Sequence, residues 1–175
     1  GVDSSTGVVT VAATTNLDYE TATSCTVEIT ATSADNSAAA TTFSVAVTDY
    51  DEFDVSTPTD SDTTADTVAE NAADNTAVGV TGSASDADGS TNTITYSLTI
   101  STSACSTFFD IGSSDGIVRV DGTSEMDYET VTSCDITVTA TSADTSTATS
   151  ATISVAITDV NDQTPTYTAG TTAFA

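Results

Sequence analysis

The sequence predicts an all-β protein, a Greek-key β-sandwich repeated in tandem, and three observations predict it. The chain matches itself at an offset of 109 residues: Asp18-Tyr19-Glu20-Thr21 returns as Asp127-Tyr128-Glu129-Thr130, and Ala31-Thr32-Ser33-Ala34-Asp35 as Ala140-Thr141-Ser142-Ala143-Asp144. A self-match of this length marks one structural unit copied in tandem. Apolar residues alternate with Thr and Ser in short runs, the period of a half-buried antiparallel strand. The turn signals Asp88-Gly89, Asp115-Gly116 and Asp121-Gly122 punctuate those runs, and no stretch carries a helical stripe.

In chain order, strands are expected near residues 8–12, over 25–32 and over 43–48. Cys25, Val27, Ile29 and Ala31 share one face of the second, and Phe43, Val45 and Val47 share one face of the third. Residues 49–54 form an acidic linker. Residues 60–70, polar and rich in Thr and Asp, suit an irregular opening segment. Val78 and Val80 mark a short strand, and Ile94, Tyr96, Leu98 and Ile100 a longer one. Residues 134–140 repeat the pattern of 25–31, Ile153, Val155 and Ile157 form the last strand, and residues 159–165 a second linker. Phe43 and Tyr96 have core parity. The expected units are therefore 1–52, the second half of a repeat; 53–162, a complete repeat; and 163–175, the start of a further one. With no initiator Met, the chain is expected to be a segment of a longer array or a mature piece of one. The leading half lacks opening strands. Its apolar face then needs cover from a preceding stretch of the same polypeptide or from a neighbour by strand addition.

Charge is the next constraint. The chain has 26 Asp and Glu against one cation, Arg119, with no Lys or His, for a net charge of −25. Such a surface repels nucleic acid. Self-repulsion opposes compaction unless something neutralises it, which points to bound metal cations or a salty medium; the plainer alternative is a solvated acidic surface. At 38% apolar residues the chain is not a disordered acidic tail. No run of about 20 apolar residues is present to span a membrane. There is no N-x-Ser/Thr sequon, whereas the abundance of Ser and Thr permits O-glycosylation.

The carboxylates stand at fixed stations in the complete unit. Glu70 precedes the first good strand, Asp86-Ala87-Asp88-Gly89 follows the second, Asp127-Tyr128-Glu129 precedes a later strand, Asp144 ends that strand, and Asp159-Val160-Asn161-Asp162 closes the unit. Oxygen ligands one residue apart at turns suit a hard cation such as Ca²⁺, which takes six to eight oxygens, and loops converging with a linker can supply that number.

In this order and spacing the motifs resemble the cadherin repeat. They are Glu70-Asn71, Asp86-Ala87-Asp88, Leu17-Asp18-Tyr19-Glu20 with its copy Met126-Asp127-Tyr128-Glu129, Ala143-Asp144, and Asp159-Val160-Asn161-Asp162-Gln163-Thr164-Pro165-Thr166-Tyr167, which follows the family's linker. The resemblance implies Ca²⁺ at the junctions between successive repeats. At the first junction it implies Asp18, Glu20, Asp51, Glu52, Asp86, Asp88 and Asp144 as ligands, joined by the Asn92 carbonyl. At the second it implies Glu70, Asp127, Glu129, Asn161 and Asp162, while Asp35 would serve a preceding junction. The first linker departs from the family pattern, with Asp51 where Asn is usual and Glu52 where Asp is usual. That keeps oxygens but changes charge and reach.

The resemblance also implies a disulfide between Cys105 and Cys134, because the strands carrying them would be antiparallel neighbours. A disulfide implies an oxidising, extracellular setting. Cys25 is the counterpart of Cys134, and its expected partner would lie just before Gly1. No enzymatic activity is expected, since Lys and His are absent and the paired carboxylates fall at junctions. The implied function is an extracellular structural or adhesive segment, a Ca²⁺-rigidified stalk or filament whose partners are other copies of the same repeat or protein. The alternative is a Ca²⁺-dependent carbohydrate-binding module of a secreted protein, with glycans as partners. A third is an acidic halophilic surface with no specific metal.

Overall fold

The structure, a computed structural model, describes residues 1–12 and 16–167, and nearly all its regular structure is strand. Strands β1 (Ser24–Thr32) and β2 (Ala38–Ala46) form an antiparallel two-stranded sheet running from Ser24 opposite Ala46 to Thr32 opposite Ala38. The remaining strands are β3 (Thr59–Asp60), β4 (Thr67–Ala69), β5 (Ala77–Ser83), β6 (Ile94–Ile100), β7 (Phe109–Ile111), β8 (Ile117–Val120), β9 (Ser133–Ser142), β10 (Thr147–Thr149) and β11 (Ile153–Thr158), with one 3-10 turn at Ser103–Cys105.

From β3 onward the chain is a two-layer sandwich. One sheet has the order β3-β5-β8-β7. In the other, β9 is the long central strand: β6 lies on one side, and β10 and β11 lie successively on the other, with β4 parallel to β11. Residues 60–70, expected to be irregular, carry two short strands instead. β3 pairs with β5 in one sheet and β4 with β11 in the other, so the opening segment crosses between layers. A bulge interrupts β5 at Gly79, whose φ of +86° and close approach to the Ala65 carbonyl exclude a side chain.

The alternation read from the sequence decides the core. Cys134, Ile136, Val138 and Ala140 of β9 are fully buried. Cys134, Ile136 and Val138 share one core with Val78, Val80, Val118 and Val120 of the opposite layer, where each buried Val or Ile contributes about 1.5–3 kcal/mol. Cys105 at the end of the 3-10 turn is bonded to Cys134. Tyr96 is half-buried against this core, and its hydroxyl accepts the Ala84 N–H at 3.1 Å.

β1 begins 109 residues before β9 and has the same alternation, yet Cys25, Val27 and Ile29 are only half-buried. Phe43, expected in a core, is 50% exposed and Val45 49%, because no second sheet closes over β1 and β2 among the described residues. The strand expected near residues 8–12 is also absent from the described part of that stretch. Val9 forms a single bridge to Val2 there, and an isolated pair of short segments has too little packing to make a ladder.

Candidate metal centre

The acidic stations converge at the two ends of the sandwich. At one end the Asp86–Ser90 loop meets the 49–53 linker. Asp88 is 1% exposed, and its carboxylate accepts the N–H groups of Glu52 at 3.4 Å and Phe53 at 3.2 Å. Two groups of carboxylates, with oxygens all within 4.8 Å of one another, share this residue: Glu20, Asp49 and Asp88, and Asp51, Asp88 and Asp144. Asp144 reaches the cluster from the β9–β10 turn, where it also accepts the Ser146 N–H at 2.7 Å.

The other expected residues at this end have different tasks. Asp86 accepts the buried Ser142 hydroxyl and the Asp88 N–H, shaping the loop rather than joining either group. Asn92 donates its Nδ2 to the Asp88 carbonyl at 2.6 Å. Asp18 accepts the Thr21 N–H and hydroxyl at 3.0 and 2.8 Å, and those bonds, the hydroxyl's first, lower its pKa. Glu52 enters neither group, although its charge is felt there. Lost hydration raises its pKa, helped by Glu20, Asp88, Asp49 and Asp18. Asp49 was not among the expected ligands. One of its oxygens accepts the Ser90 hydroxyl; the other, Oδ1, is buried with no hydrogen-bond partner. The signal that could have found it is its place at the head of the acidic linker.

At the opposite end Glu70, 5% exposed, plays the part of Asp88. It accepts the Tyr128 N–H at 2.5 Å and the Val160 N–H at 2.7 Å, tying the second linker to the loop before β9. Glu70, Asp127 and Glu129 form a third group. The Thr130 hydroxyl, first among several bonds, lowers the pKa of Asp127. Glu129 sits above its usual range. Its own backbone N–H pulls it down, but lost hydration, Asp127 and the charges of Glu70 and Asp162 outweigh that. Asp162 thus lies near this group, and it accepts the Gln163 amide at 3.0 Å. Asn161 stands between Asp162 and Val160.

These arrangements fit a hard cation. The donors are oxygens throughout, and among the described residues the one side-chain ion pair is Arg119 with Asp115 at 2.8 Å, which involves no member of the three groups. Asp51 shows the cost of leaving the charges uncompensated. Lost hydration, then a shared hydrogen bond with Asp88 and the charges of Asp144, Asp88 and Asp86, push its pKa to about 6. The orphaned Asp49 oxygen is what a coordinated ion would satisfy.

The architecture has clear counterparts among solved structures. Protocadherin Gamma B2 extracellular cadherin domains 3-6 align over 83% of this chain at 24% identity and a TM-score of 0.63, covering 35% of that structure. The protocadherin gammaB7 EC3-6 cis-dimer aligns over 85% at 22% identity and 0.63, also covering 35%. The fold is cadherin-like. Mouse cadherin-23 EC22-24 adds a third counterpart, over 85% of this chain and 46% of that one, at 21% identity and 0.61. The chain thus spans about a third of the first two cadherin structures that it matches. No family model and no curated protein matches it.

Proposed function

We propose that this chain is an extracellular structural and adhesive segment of a tandem-repeat protein, in which Ca²⁺ stiffens the junctions between cadherin-like units. The units are 1–52, 53–162 and 163–175. The observation that carries this reading is the double carboxylate cluster around buried Asp88. It draws oxygens from three parts of the chain: Glu20 before β1, Asp49 and Asp51 in the linker, and Asp88 with Asp144 in the sandwich. An ion held there bridges groups on both sides of the seam and removes linker freedom. Asp18, Glu52 and Asp86 complete the first junction by charge and by shaping the loop. Glu70, Asp127, Glu129, Asn161 and Asp162 serve the second.

The partners are other copies of the repeat or of the protein, in keeping with the cis-dimer described for protocadherin gammaB7. The role is mechanical and cohesive, without catalysis, and the Cys105–Cys134 bond suits an oxidising cell-surface setting. No helix among the described residues is long and apolar enough to cross a membrane. Small-angle scattering with calorimetric titration tests the reading. Ca²⁺ should bind saturably at high monovalent salt and narrow the distribution of maximum dimension, and chelator should reverse both effects. A titration showing no heat above dilution, with scattering unchanged by chelator, overturns it.

A further inference from the structure

The seam between the β1–β2 segment and the sandwich contains a contact that needs no cation. Gly89 turns the corner after Asp88. A Cβ placed on it would stand 2.6 Å from Cε1 and 2.7 Å from Cδ1 of Tyr19, and 3.1 Å from Oε1 of Glu20. Only the missing side chain lets the Tyr19 ring lie on this backbone. The Gly89 N–H donates to that same Glu20 oxygen at 3.0 Å, a charge-assisted bond, and the neighbouring Ser90 hydroxyl donates to Asp49. Glu20, Asp49, Glu52 and Asp88 crowd the same place, and their like charges push the two sides apart when no ion is bound. In that state the ring contact and the Gly89 N–H bond are what oppose the repulsion.

We propose that the Asp88-Gly89-Ser90 corner is a docking socket for the Tyr-Glu pair of a preceding unit, and that Gly89 determines whether that unit can seat. The ring rests on the glycine, the glutamate takes its N–H, and the contact biases the seam toward its aligned form, which a cation then stiffens. The partner that fits is a unit carrying Asp-Tyr-Glu, which this chain has at residues 18–20 and again at 127–129. The backbone of Gly89 is not among the positive-φ positions, so alanine can adopt it and the added methyl acts on the Tyr19 ring and the Glu20 carboxylate rather than on the corner's own conformation.

The test uses the full chain in excess chelator, followed by NMR. Wild type should show a nuclear Overhauser contact between the Tyr19 ring and the Gly89 Hα protons, with the tumbling of β1–β2 partly coupled to that of the sandwich, short of the single correlation time that added Ca²⁺ should bring. Gly89→Ala and Tyr19→Ala should each abolish the contact and shorten the correlation time of β1–β2 relative to β9, with the β9 amide shifts in place. Tyr19→Phe, which keeps the ring, should keep both. The socket is refuted if the wild-type contact is missing in chelator, or if Gly89→Ala and Tyr19→Ala both leave the tumbling as it was. Every refuting arm is metal-free, so these outcomes are independent of the Ca²⁺ reading.

Discussion

Replacing Asp88 with asparagine strikes the two first-junction clusters at their common member. Asp88 belongs to both the Glu20·Asp49·Asp88 and the Asp51·Asp88·Asp144 groups and is 1% exposed. A ligand that binds only the folded form stabilises it by about 2.7 kcal/mol at a hundredfold excess over Kd. Two sites filled to that degree would add about 5 kcal/mol. For a domain of this size each kcal/mol moves the melting temperature by about 4 °C, so Ca²⁺ should raise wild-type Tm by roughly 20 °C. Glu20→Gln and Asp144→Asn each dismantle one group and should leave roughly half of that rise, while Asp88→Asn should leave almost none. The assay is scanning calorimetry in chelator and in Ca²⁺ at fixed ionic strength, read as the difference between the two. Weakening the bonds from Glu52 and Phe53 to Asp88 affects both conditions and drops out of that difference. An Asp88→Asn response equal to wild type would refute the shared-ligand reasoning. So would a complete loss in Asp144→Asn alongside an undiminished response in Glu20→Gln.

Proton release follows from Asp51, whose pKa is raised from 3.8 to about 6. Without a cation this group subtracts stability as pH climbs through that window, because the unfolded chain ionises first. Ca²⁺ binding at pH 6 should therefore release protons, seen as calorimetric heats that depend on buffer ionisation enthalpy, and the dependence should fade by pH 8. At the β9–β10 turn Thr145 holds φ +80°, where its counterpart Asn36 holds +65°. A β-branched residue is strained there, so Thr145→Asn should stabilise the sandwich by about 1 kcal/mol in chemical denaturation; no gain would show that the turn relaxes at no cost. Cys105→Ala with Cys134→Ala opens a loop of sequence separation 29 and should cost about 3.5 kcal/mol, measured by urea unfolding. A cost under about 1 kcal/mol would mean that the unfolded chain is already restricted near this loop.

The strand pattern, the tandem copy and the inward parity of Cys134 were all legible in the sequence, because alternation at period two is a local property of the chain. Ile136, Val138 and Val155 had to be core for the same reason, and they are. The cadherin-like motifs named most of the acids that the fold gathers into groups at the two ends of the sandwich. What the sequence did not show is which oxygens meet. Glu20 and Gly89 touch across 69 residues, and Asp49, one of whose oxygens is buried without a partner, joins the cluster although no spacing rule marks it. The division between Asp88, buried and shared, and Asp86, turned toward Ser142, lies in the loop's path and not in the Asp-Ala-Asp pattern. Phe43 has core parity but remains half-exposed, since burial needs a facing layer as well as a period. The crossing of β3 and β4 between sheets was equally hidden, because residues 60–70 pair with strands remote in sequence. Periodicity determines which face of a strand is apolar; only the packing of distant segments determines what that face, or a carboxylate at its end, finally meets.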